Sequence, residues 1–167
     1  ISRGHELIPI EKELQHAEAY LQIQKYRYKN QFTYHFTVDE SCKQYLCNKI
    51  TLQPIIENAI YHGLDRMVDE GRILIRIYSE GEDVVFRVED NGVGIAEDEL
   101  HRVRKNLRER SGPIERRADS SRSTGIALRN VNRRIQFYFG MQYGVDVAST
   151  QDIGTTVIVT LPQMRGN

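Results

Sequence analysis

Apolar residues recur at helical spacing near the start of the chain. Over residues 9–29, Ile10, Leu14, Ala17 and Leu21 share one face, Pro9 suits the first turn, and Glu11 and Glu13 suit the positive end of the helix dipole. The period then changes. Residues 32–38 alternate and are rich in aromatic and β-branched side chains, which predicts a strand. After a polar connection at 39–45, Leu52, Ile55, Ile56 and Ala59 mark a helix over 52–62, with Thr51 as N-cap, Pro54 in the tolerated first turn and Gly63 as its stop. Ile73, Ile75 and Ile77, then Val84, Phe86 and Val88, line one face of two strands, 72–79 and 83–90. Glu80-Gly81-Glu82 joins them as an antiparallel hairpin.

Residues 97–110 read as a charged helix, and the polar stretch after it continues to Thr124. A connection as long as 96–124 predicts a mobile lid. A further helix spans 126–139, with Ile126, Asn130, Val131 and Ile135 inward and Gly140 at its C′ position. Strands at 143–149 and 155–161 close the chain around Gln151-Asp152-Ile153-Gly154. The last strand is apolar on both faces, so it belongs inside the sheet. This order predicts an α/β protein, a two-layer sandwich of a mixed five-stranded sheet with helices on one face. Two units are expected: residues 1–29 as linker and helix, and 30–167 as the main domain.

Composition narrows the functional classes. The 167 residues suit one domain, and 23 basic residues against 23 acidic give a net charge of zero, so no global field draws in nucleic acid. No apolar run approaches the length of a membrane helix. The chain opens at Ile1 in mid-pattern, which suggests a piece of a longer protein. Cys42 and Cys47 lack the partners of a disulfide framework or a zinc site and read as two reduced thiols.

Four clusters carry candidate chemistry. In 52–63, Asn58 and His62 are four apart and share a helix face with Tyr61. The Asn58 carbonyl suits a magnesium shell, and Glu57, about 100° round the helix, can polarise a nucleophile. In 88–95, Asp90 at a strand end can accept from an exocyclic amine, and Gly92 and Gly94 permit close backbone approach, although Asp90-Asn91-Gly92 also reads as a plain turn. In 123–134, Gly125 leads into a helix N-terminus that can cradle phosphate. Thr124 also reads as an ordinary N-cap, and at least two of Arg129, Arg133 and Arg134 as a solvated face. In 152–156, Thr155 offers a hydroxyl at the start of the last strand.

Together these clusters resemble the N box and the three glycine boxes of the GHKL ATPases, the superfamily of gyrase, the ninety-kilodalton heat-shock chaperones, MutL and the histidine kinases. Within it the chain is most similar to LytS/YesM-type sensor histidine kinases, on Ile8-Pro9-Ile10-Glu11-Lys12-Glu13-Leu14, on Tyr20-Leu21-Gln22-Ile23-Gln24-Lys25 with Arg27, on 52–63, and on Asn130-Val131-Asn132 with Arg134. The resemblance implies a Bergerat fold holding ATP under a lid. By it, Asn58 binds Mg2+, Asp90 binds adenine, Gly92, Gly94 and Ile95 shape the pocket, and Thr155 supports the base. Gly125, Ile126 and Leu128 flank the nucleotide, and Glu57 helps activate the phosphate acceptor. Two positions depart from the pattern. Ala127 stands where the family has the second glycine of Gly-x-Gly-Leu, and Tyr61 where many histidine kinases carry Lys, so His62 or Arg104 is expected to meet phosphate.

The activity implied is transfer of the ATP γ-phosphoryl to a histidine and on to a response regulator. The family's acceptor lies in a Pro-His-Phe motif, a context none of the five His residues here has, so it is expected upstream on a phosphoacceptor and dimerisation segment. The implied whole is a homodimer tethered to the cell membrane with this domain in the cytoplasm. A GHKL serine kinase of the anti-sigma type and a degenerate nucleotide-binding module are the alternatives.

Overall fold

Ile73, Ile75 and Ile77 are wholly buried while Arg72 and Arg76 are exposed, so the period-two alternation of the sequence becomes a covered and an open sheet face. The computed structural model describes residues 6–64, 67, 69–109 and 123–166. In chain order the elements are β1 (Leu7–Pro9), α1 (Ile10–Arg27), β2 (Phe32–Val38), β3 (Leu46–Asn48), and α2 (Leu52–Asn58), which runs on into a π-helical turn (Ala59–Leu64). Then come β4 (Gly71–Glu80), β5 (Asp83–Asp90), α3 (Glu97–Arg108), α4 (Ser123–Phe139), β6 (Gly144–Thr150) and β7 (Gly154–Pro162).

Five strands form one mixed sheet in the order β2-β4-β5-β7-β6. The β2–β4 pair is parallel and the others are antiparallel. β7 lies inside the sheet, as its apolar run predicts. Helices cover one face. Ile10 and Leu21 of α1, Ile55 and Ile56 of α2, Leu100 and Val103 of α3, and Leu128 and Ile135 of α4 join the strand residues in one core. Among the described residues no helix is long and apolar enough to cross a membrane.

Several details differ from the sequence expectation. The pairing of β1 with β3 was not foreseen; three-residue strands forty residues apart carry no readable alternation. That ribbon and the buried stripe of α1 place Ile8, Ile10, Ala17 and Leu21 in the same core as the sheet residues. Cys42 and Cys47 are wholly buried and free. The first half of the expected lid is helix α3, anchored by Leu100, Val103 and Leu107 in the core. The rest of it, 110–122, lies outside the described residues. Helix α4 starts at Ser123, which puts Gly125 inside the first turn rather than before it.

Helix α2 departs at both ends. Thr51 is not a side-chain N-cap: its backbone is already helical, and its hydroxyl donates to the Asn48 carbonyl at 2.7 Å. The capping group comes from α1. The carboxylate of Glu13 accepts from the N–H groups of Ile50 (3.1 Å), Thr51 (2.7 Å) and Leu52 (2.9 Å). At the other end Gly63 does not stop the helix, which continues as the π turn through Leu64. Such turns occur often at functional sites.

Candidate functional site

Asn58 and His62, one turn apart on α2 and its π extension, face Asp90 at the end of β5 and Thr155 at the start of β7 across a cleft. Ile95, Leu128 and Gly94 join these four in its wall, and Ile55, Val88 and Val157 supply an apolar floor that the sequence reading had assigned only to the core. The cleft has a volume of about 30 Å3, far below the ~300 Å3 or more of an ordinary ligand pocket.

The glycines hold backbones together. A Cβ on Gly92 would lie 2.3 Å from backbone atoms of Gly63, and the Gly63 carbonyl accepts from Val93 N–H at 3.0 Å. Gly94 has φ +70°, and a Cβ there would lie 2.1 Å from the Thr150 carbonyl oxygen. Asp152 N–H donates to the Val93 carbonyl at 2.7 Å, so the turn after β5 is pinned to both the π turn and the β6–β7 hairpin. Gly63 was expected as a helix stop. Its place in the cleft is set by this contact, and its own Cβ would meet Asp90 Oδ1 at 3.0 Å.

Asp90 sits at the centre. Desolvation in the cleft raises its carboxyl from 3.8 to about 6, and the N–H groups of Gly92 and Thr155 offset part of that rise. Gly92 N–H reaches Oδ1 at 2.8 Å. Ser149, not foreseen from sequence, completes the surroundings. Its hydroxyl accepts from Ile95 N–H at 2.8 Å, donates to the Gly154 carbonyl at 2.9 Å and lies 2.8 Å from Thr155 Oγ1. Ser has one proton, so with that proton on Gly154 the Thr155 hydroxyl donates to Ser149 and keeps its lone pairs as acceptors. Asp90 and Thr155 thus present acceptors, which suits a ligand with an amine.

Asn58 is buried, and among the described residues its side-chain nitrogen has no hydrogen-bond partner. An orphaned amide in a core is costly, and a polar ligand at the cleft would satisfy it. Glu57, the residue before it, lines a different groove of about 280 Å3 with Pro54, Ile126, Ala127 and Asn130. Tyr20 Oη of α1 stands 3.5 Å from Glu57 Oε2. Burial, and secondly the Glu57 charge, push the Tyr20 phenol well above its ordinary range.

Other candidates fall elsewhere. Tyr61 turns toward α1, edge-on to Tyr28, and its hydroxyl accepts from Arg27 at 3.4 Å. Arg104 does not face the cleft; its Nε donates to the Val147 carbonyl at 2.9 Å. Gly125 packs on α3, where an added Cβ would make only ordinary contacts, at 3.5 Å to Asn106 and 3.9 Å to Val103. Arg129 is buried, and Arg134 reaches Glu6 and the carbonyls of Lys49 and Ile50, so neither belongs to a solvated face. Among the described residues no group of three or more His, Cys, Asp or Glu side chains could hold a metal ion.

Residues 47–165 match the model of the histidine kinase-, DNA gyrase B- and HSP90-like ATPases. The chain belongs to that family. The chain is 34% identical over 155 residues to the sensor protein LytS of Staphylococcus haemolyticus, covering 93% of this chain and 25% of that protein. It is 29% identical over 162 residues to the sensor histidine kinase BtsS of Escherichia coli, covering 97% and 25%. The chain thus spans about a quarter of the length of these relatives. Its fold matches the catalytic domain of histidine kinase ThkA with a TM-score of 0.65 at 14% identity, covering 95% of this chain and 99% of that one. ThkA also matches in its complex with the response regulator TrrA, with a TM-score of 0.62 at 14% identity, covering 95% and 41%.

Proposed function

We propose that this chain is the catalytic, ATP-binding domain of a sensor histidine kinase. In this reading it passes the γ-phosphoryl of ATP to a histidine on a part of the protein outside these residues, and thence to an aspartate of a response regulator. The observation that carries it is the unpaired buried amide of Asn58, set in one cleft with the acceptors Asp90 and Thr155. An adenine amine answers Asp90, and the acceptor face of Thr155 supports the base. Gly92, Gly94 and Ile95 shape that end. Leu128 closes over the ring, while the free N–H groups around Gly125 and Ile126 at the start of α4 meet phosphate. His62, one turn beyond Asn58, adds a donor.

The Asn58 amide also fits Mg2+. Turned over, it offers the kind of neutral oxygen that joins waters and phosphate oxygens in such a shell, and the bound ion would neutralise charge on the phosphates. Glu57, one residue earlier, faces the neighbouring groove, where it can orient the incoming imidazole. Phosphoryl transfer depends chiefly on positioning and charge neutralisation, which this set of amides, one carboxylate and glycine turns supplies. The sensing segment, the acceptor helix, dimerisation and a membrane tether with this domain in the cytoplasm belong, in this reading, to the remainder of the protein.

Titration calorimetry with Mg-ATP tests the binding step; no heat at millimolar nucleotide would sink the reading. Radiolabelled ATP and the full-length protein test the transfer. Label that is acid-labile and alkali-stable means phosphohistidine, whereas acid-stable label points to a serine kinase.

A further inference from the structure

The loop that enters α2 is held from both sides. Its N–H groups at Ile50, Thr51 and Leu52 converge on the Glu13 carboxylate. Its carbonyls at Lys49 and Ile50 accept from Arg134 of α4. Ile50 has φ +58° followed by a helical Thr51, the left-handed and right-handed sequence that turns successive N–H groups inward into an anion nest. A β-branched residue rarely accepts that conformation. The Ile50 side chain is 52% exposed, so its own burial does not impose the strain; the convergence of the three donors does. The anion filling the nest is the chain's own. Glu13 is 2% exposed and lies on the stripe of α1 that carries Ala17 and Leu21.

The same stripe touches α2 further along, through Tyr20 at Glu57, and the end of α1 meets Tyr61 through Arg27 and Tyr28. Helix α1 therefore runs along α2, and Glu13 grips the backbone at its origin. We propose that Glu13 is a positioning residue: its carboxylate in the 50–52 nest is the joint through which the placement of α1 sets that of Glu57 and Asn58, and so sets nucleotide affinity. This rests on the reading of Asn58 as a nucleotide ligand. A shift of α1 changes the site by moving the origin of α2, without any contact between α1 and the nucleotide.

Glu13→Gln keeps the shape but sets an NH2 group against one of the three donors. Mg-ATP affinity of this chain, measured by calorimetry well below the melting temperature, is expected to fall about tenfold. Leu21→Val, which thins core packing on the same helix without touching the nest, is expected to leave affinity within about twofold. Wild-type affinity in Glu13→Gln, or an equal loss in Leu21→Val, overturns the proposal. Hydrogen exchange of the 53–58 amides without nucleotide provides a second readout, expected to rise about tenfold in Glu13→Gln with β4 and β5 unchanged. If the wild type binds no Mg-ATP, the functional reading fails and exchange alone decides: a selective rise supports the joint and an unchanged rate overturns it. Should Glu13→Gln not fold, Glu13→Asp replaces it, keeping the charge but withdrawing it by one methylene. If neither folds, Glu13 is a core residue only and the proposal is overturned.

Discussion

Gly92 lies so close to Gly63 that a methyl group on it would come within 2.3 Å of three backbone atoms of that residue. No side-chain rearrangement relieves such a contact, because the partner is main chain. Gly92→Ala must push the turn after β5 away from the π turn, and with it Asp90 from Asn58. Urea denaturation should show a loss of about 1–3 kcal/mol, and calorimetry a loss of Mg-ATP binding. Gly125→Ala is the counterpart. Its Cβ meets only ordinary contacts, so the helix should gain up to ~1 kcal/mol from the better helix former. Mg-ATP binding should nonetheless weaken if the first turn of α4 meets phosphate. A gain in both stability and affinity would remove Gly125 from the site.

Asp90 ties stability and binding to pH in opposite senses. Its folded carboxyl titrates near 6 against 3.8 ordinarily. Below about pH 4 both folded and unfolded chains hold the proton. Between 4 and 6 only the folded chain does, so the stability this group contributes at acid pH is lost as pH rises through 6. The full loss is roughly 2–3 kcal/mol. Nucleotide affinity should rise over the same window as the acceptor ionises. Asp90→Asn is expected to flatten both curves. At pH 7.5 it should melt above the wild type in the absence of ATP while binding Mg-ATP about 1–3 kcal/mol more weakly. Thermal scans and calorimetry at pH 5.5 and 7.5 read both effects.

Thr155 and Ser149 should separate binding from folding. Thr155→Val leaves Ser149 its contacts with Ile95 and Gly154, so stability should stay close to wild type while affinity falls by about 1 kcal/mol. Ser149→Ala strips the Ile95 N–H of its acceptor and should lower stability by about 1–3 kcal/mol. Denaturant titration with and without Mg-ATP distinguishes the two.

Arg104→Met tests the placement of that arginine. Its hydrogen bond to the Val147 carbonyl anchors α3 to β6, so stability should drop by about 1 kcal/mol with no change in the dissociation constant for Mg-ATP. A weakened constant would bring Arg104 to phosphate after all.

The strands and helices of the sheet were legible because each carries a sustained period: Ile73, Ile75 and Ile77 at spacing two, and Ile10, Ala17 and Leu21 at helical spacing. Of the residues the fold brings to one cleft, Asn58, His62, Asp90, Gly94 and Thr155 were legible as local motifs, and Ile95 and Leu128 only through the family resemblance. What escaped was set by distant partners. Glu13 looked like a charge suited to its own helix dipole, and nothing near it in sequence reveals three donors 37 to 39 residues away. Gly63 looked like a helix stop because its neighbour Gly92 is remote in the chain. The π turn has no signature in a run as short as Ala59–Leu64. Helix α3 is different: Leu100, Val103 and Leu107 stand at core spacing, and that signal was outweighed by the charges around them.

The match to the family begins at residue 47, but the packed core also takes in residues ahead of it. A protein cut there would lose Ile10, Ala17 and Leu21 from the core, the partner strand of β3, and the carboxylate that seats the 50–52 amides. The stretch that a family match covers and the stretch that a core needs are different properties of a chain. For expression, grafting or domain swapping, β1 and α1 are expected to travel with the sheet, although they lie ahead of the residues that the family match covers.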